Sequence, residues 1–221
     1  MNVKVVGNEP VPPEAKRLHE QARIAGGRGD YDQALDLLKR AQALAPTWPY
    51  PLYDAAFTHL LQGDYAKAET LYAEVDRMAP RGFFTCKTSL DCLRRERRGE
   101  VPPGFCKAFA LLELVDKPTK KRALEGIVAK WPTFAAAWWQ LVTLIEDADA
   151  RLYAIEKGLE ANPDAETKGM LLINKAVTLA RHDKEGAIRM LHEVVDDPDS
   201  TMGAQALAKV SLMQMGEGAS S

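Results

Sequence analysis

Gly29-Asp30-Tyr31 returns as Gly63-Asp64-Tyr65, an offset of 34 residues. The same offset carries Ala34 to Ala68, Leu37 to Leu71, and Ala45-Pro46 to Ala79-Pro80. A fixed period of roughly 20–50 residues marks an array in which one supersecondary unit is stacked on copies of itself. Each unit then touches only its neighbours, so the core is spread along an axis.

The residues inside one period predict two helices. Leu18, Ala22 and Ala25 give the first an apolar stripe; Ala34, Leu37, Leu38, Ala41 and Leu44 give the second a stronger one. Between them Gly29 can adopt the left-handed conformation that closes a helix, and Asp30 can cap the next with its carboxylate. Ala34 is small where two antiparallel helices cross, and Pro46 stops the second helix. The next period repeats this with Tyr53, Ala56, Leu60 and Leu61, then Gly63-Asp64, then Ala68, Leu71, Tyr72, Val75 and Met78, then Pro80.

Over residues 15–80 these positions resemble the tetratricopeptide repeat: a small residue in helix A, a Gly-Asp-Tyr turn, alanines in helix B and a closing proline. Leu18 and Gln21 depart from the family's tryptophan and leucine, as an uncovered end unit allows. The resemblance implies an all-α, right-handed superhelical solenoid of antiparallel helix pairs. It also implies a concave groove, lined by the helix A faces, that takes a peptide or helical segment of a partner protein. Carried onto this chain, the groove positions are Lys16, His19 and Arg23, then Tyr53, Phe57 and Leu60, then Lys87 with Asp91, and Trp139. The family's carboxylate clamp needs lysine and asparagine where His19, Arg23 and Asp54 stand, so a co-chaperone role does not follow.

Beyond Pro80 the register weakens. Phe83–Arg98 reads as a helix ended by Gly99, Pro102-Pro103-Gly104 as a turn, and 105–115 and 119–130 as further helices. Ala137-Trp138-Trp139-Gln140-Leu141 resembles the start of another helix A, and Ala161-Asn162-Pro163 the end of a helix B. A further pair spans about 166–196. Ser200 then caps a last helix with Met202, Ala206, Val210 and Met213 on one side and Gln205, Lys209 and Gln214 on another, read as a solvating C-terminal cap. The expectation is roughly twelve helices. It comprises an N-terminal extension over 1–12 and a single helical-repeat domain over 13–215, with a flexible tail over 216–221. Inside that domain, 13–80 is regular, 81–132 irregular, 133–198 degenerate repeat, and 199–215 the capping helix.

Composition removes several function classes. Twenty-nine basic and 31 acidic residues nearly cancel, which argues against a polyanion as the main partner. Two basic clusters, Arg94–Arg98 and Lys117–Arg122, keep a nucleic-acid-associated repeat as an alternative. Without interleaved aromatics they read better as solvated helix ends. No apolar run approaches the ~20 residues of a membrane span. Cys86, Cys92 and Cys106 are odd in number and clustered, which predicts reduced thiols in a cytoplasmic protein.

Catalytic and metal motifs are wanting. His192-Glu193 lacks the second histidine of a zincin helix, and Gly26-Gly27-Arg28-Gly29 lacks the strand and the Lys-Ser/Thr of a phosphate loop. The reading is therefore a protein-binding module, not an enzyme, with no cofactor. It is expected to be a monomer or weak homodimer; a self-associating scaffold using Met202–Met213 or the aromatic groove is the remaining alternative.

Overall fold

In the computed structural model, which describes residues 10–216, helix α1 (Pro13–Gly27) opens on a proline, whose missing N–H costs nothing in a first turn. It ends because Gly29 takes φ +85°, letting the Gly29 and Asp30 amides donate back to the Gly26 and Ala25 carbonyls. Helix α2 (Tyr31–Leu44) then folds back, and a Cβ placed on Gly26 would lie only 3.8 Å from that of Ala34. Helices α3 (Tyr50–Gln62) and α4 (Tyr65–Met78) repeat the hairpin, with Gly63 at φ +85° donating to Leu60 and Asp64 to His59. Ala34, Ala41, Ala56, Ala68 and Val75 are buried where these helices meet. The cap is unequal between the two turns. Asp64 accepts from the Lys67 amide, whereas Asp30 holds the N-cap position without a side-chain cap bond, against expectation.

The middle segment begins with one helix. α5 (Cys86–Arg97) packs on α4 and ends at Gly99 (φ +73°), where Gly99 donates to Glu96 and Glu100 to Arg95 as in the first two turns. It starts three residues later than the sequence suggested, leaving Phe83 and Phe84 in the preceding loop. Its partner is cut short: α6 (Phe105–Ala110) has six residues and passes into a 3-10 turn, Leu111–Leu114. Two devices hold this stub. The Glu96 carboxylate accepts from the Gly104 amide at 2.7 Å and the Cys106 amide at 2.9 Å, and Cys92 is disulfide-bonded to Cys106. The expectation of three reduced thiols is thus corrected. The Cys92 and Cys106 Cα atoms are 5.8 Å apart, within bridging range, and Cys86 stays a thiol, buried and donating to the Tyr72 carbonyl.

The chain divides into two compact units at Phe109/Ala110, inside the segment expected to be irregular. In the second unit α7 (Lys117–Lys130) is capped by Asp116, and α8 (Ala135–Val142) and α9 (Ala148–Glu160) form a hairpin closed by Asp147 as N-cap. Trp138 is buried and its indole N–H donates to the Pro132 carbonyl at 2.8 Å. α10 (Ala165–Leu179) and α11 (Lys184–Asp196) form the next hairpin, and α10 lies against both α8 and α9.

The last helix, α12 (Met202–Gln214), packs on both α10 and α11. Its N-cap is Thr201, accepting from the Ala204 amide, and not Ser200. Its buried face is Ala204, Ala208, Ser211 and Leu212, so the Met202–Met213 stripe faces solvent and the cap is not the solvating one expected. Among the described residues there are twelve α-helices and no strand. Residues 1–9 of the expected extension and 217–221 of the expected tail lie outside the described residues.

Candidate binding surface

Aromatic rings converge at the start of α3. The loop before α3 supplies Trp48, the helix itself Tyr50 and Tyr53, and the loop before α5 supplies Phe83 and Phe84. Ring centroids are 5.4 Å apart for Trp48–Tyr50, 4.9 Å for Tyr50–Phe83, 5.5 Å for Tyr50–Phe84, 5.4 Å for Tyr53–Phe84 and 4.8 Å for Phe83–Phe84. Most meet edge to face, the arrangement that the ring quadrupoles favour. Below the cluster Tyr53 packs on buried Tyr72 at 5.6 Å, and its hydroxyl lies 2.9 Å from Thr85 Oγ1. Burial pushes the Tyr72 phenol well above its ordinary range.

Phe84 is the exceptional member. Its φ of +48° is in the left-handed region, costly for a bulky residue by about 1–3 kcal/mol. Yet the residue is 61% exposed. Strain that ends with an apolar ring in water is unusual, because burial would normally be what offsets it.

The neighbouring faces carry the residues anticipated from the sequence. His19 of α1 and Asp54 of α3 share a hydrogen bond of 2.8 Å, so the α1 face with Lys16 and Arg23 lies beside the α3 face with Tyr50, Tyr53 and Phe57. Lys16, Arg23 and Phe57 are exposed, and Tyr53 is half-buried. His19 is not a surface group: it is buried among Asp54, Trp48 and Tyr50. Leu60 is likewise interior, at 3% exposure. Lys87 is half-buried and paired with Asp76 at 2.6 Å. Trp139 is half-buried on α8 in the second unit. Sequence reasoning passed over Trp48, Tyr50, Phe83 and Phe84, although a signal existed. Tyr50 and Phe84 are themselves 34 residues apart, the same position of successive repeats.

The first basic cluster is largely neutralised, and in the second Lys120 is paired. Arg94 and Arg97 approach Glu69 of α4 at 3.9 and 3.4 Å, buried Arg95 bonds Asp91 at 2.7 Å and Glu100 at 3.2 Å, and Arg98 also pairs with Glu100. The Arg98 contact holds the Glu100 carboxyl below its usual range. Lys120 pairs with Glu113 at 2.6 Å. Cations so engaged have little left for phosphates. Among the described residues, no group of three or more His, Cys, Asp or Glu side chains is placed to hold a metal ion. No described helix is long and apolar enough to cross a membrane.

Residues 27–81 match the family described as tetratricopeptide repeat. No curated protein matches the chain. Among solved structures it is similar to the MamA RS-1 ArsTM double mutant, at 18% identity over 93% of this chain and 96% of that one, with a TM-score of 0.39. It is similar also to MamA 41-end from Desulfovibrio magneticus RS-1, at 19% identity over 96% of this chain and 100% of that one, with a TM-score of 0.39. The matched stretch holds both Gly-Asp-Tyr turns, both helix B alanines and the closing proline. Over residues 27–81 the chain is therefore similar to the tetratricopeptide repeat.

Proposed function

We propose that the chain is a non-catalytic binding module whose first unit receives a segment of a partner protein along the adjoining faces of α1 and α3. The ring cluster of Trp48, Tyr50, Tyr53 and Phe84 is the apolar anchor, Phe57 extends it, and Lys16 and Arg23 offer charge to a carboxylate on the partner. Lys87, steadied by Asp76, is a further candidate contact. Trp139, in the other unit, is a separate candidate contact. The observation that carries this reading is Phe84, kept in solvent by a strained backbone and supported from beneath by two tyrosines. Exposed contiguous apolar surface is a mark of interaction sites, and rigid aromatics lose little entropy on binding. The His19–Asp54 bond fits the same role. It occupies the carboxylate that would otherwise repel an acidic segment.

Affinity capture from native extract tests this with wild type beside Phe84→Ser and Phe57→Ser, two exposed positions whose loss should spare the fold. Partners held by wild type and lost by both variants support the site; equal recovery removes it. A thiol count on the same preparation addresses location: we propose the cytoplasm, where the Cys92–Cys106 pair would be held reduced. One reactive thiol on unfolding means that the Cys92–Cys106 bond persists and the compartment is oxidising, whereas three mean a reducing one.

A further inference from the structure

The outward face of α12 has the chemistry of an interior one. Met202, Ala206, Val210 and Met213 recur at helical spacing along three turns, with Leu207 beside them. Met202, Leu207, Val210 and Met213 are 40, 41, 47 and 63% exposed. The opposite face of α12, through Ala204 and Leu212, is already used against α10 and α11. Contact there is close: a Cβ on Gly169 would come within 2.5 Å of the Ala204 Cβ. Helix α10 stands in the same relation to α8 and α9, and its other flank is covered by its own antiparallel partner, α11. α12 thus packs as a helix A does, and among the described residues nothing takes the helix B place.

We propose that this place is filled by α12 of a second copy of the chain, two copies pairing tail to tail about a two-fold axis. The stripe is self-complementary in that orientation. With the axis crossing near Leu207 and Ala208, Met202 opposes Met213 of the other copy and Ala206 opposes Val210, so a small side chain meets a larger one at the centre. An antiparallel neighbour is also what every helix A of a repeat hairpin has. The charge pattern selects against an acidic protein or an anionic lipid surface. The stripe carries no ionisable group, and Lys209, flanking it, is the one charged residue of α12. A face about 16 Å long cannot by itself supply the roughly 800 Å² per partner of a standard interface, so the dimer is weak and concentration-dependent. Both Lys209 side chains fall on the same rim, so added salt strengthens the pairing by screening them.

The test is a concentration series of the full chain by light scattering, at low and high salt, with Val210→Glu and Met213→Lys beside wild type. Wild type should rise toward a twofold mass and both variants should stay at the mass of one chain with unchanged helicity. Met213 is exposed enough that its replacement cannot unfold the helix, so it decides the matter if Val210→Glu fails to fold. Wild type monomeric at every concentration overturns the proposal. So does association that Met213→Lys leaves intact, or association that Phe84→Ser alone abolishes.

Discussion

Asp30 and Asp64 occupy the same repeat position, and only Asp64 makes the cap bond. Residue type alone therefore did not reveal which aspartates cap; the geometry of each turn did. Asp164 is the best-engaged cap, accepting from the Glu166 and Thr167 amides at 2.9 and 3.2 Å and from the Thr167 hydroxyl at 2.6 Å. Asp164→Ala should cost about 1–2 kcal/mol, read as a shift in the denaturation midpoint with an unchanged slope. Tyr72 makes a second residue-scale prediction. Desolvation raises its pKa in the folded state, so its contribution is whole below the unfolded value of about 10 and is lost as pH rises beyond it. Melting temperature should therefore fall above about pH 10 and fall less steeply in Tyr72→Phe; parallel curves would count against a buried neutral phenol.

Among elements, the small residues at helix crossings carry the sharpest consequences. Ala34 and Ala68 are almost wholly buried between helices A and B, so Ala34→Leu or Ala68→Leu should destabilise by about 1–3 kcal/mol. Thermal melts check this, and no loss in either would displace the crossing. These alanines and the turn glycines were legible because they repeat at 34 residues. The start of α5 was not. Its apolar pattern continues back through Phe83, yet Phe83 and Phe84 lie in the loop, their rings against Tyr50 and Tyr53, a repeat away in the chain. In α12 a related cause chose the buried side. Met202, Ala206, Val210 and Met213 make the more apolar stripe, but Ala204 and Ala208 fit the close approach to Gly169, and proximity outweighed hydrophobicity in choosing the buried side.

At the scale of the molecule, stability is distributed unit by unit, so lesions should stay local. Reducing the Cys92–Cys106 bond opens a loop of 14 residues' separation and should cost up to about 3 kcal/mol in the loop-entropy account. Hydrogen exchange under reductant should quicken in α5 and α6 while α10 and α11 keep their protection; uniform loss would mean the two units unfold as one. The sequence by itself determined the helical class, the hairpin unit and the left-handed glycines that close it, because these rest on interactions within one period. Tertiary structure alone decided the Cys92–Cys106 pairing, the interior place of His19 and Leu60, the ring cluster around Phe84 and the side α12 turns outward. Each depends on which helix lies next to which, at distances along the chain that local spacing does not encode.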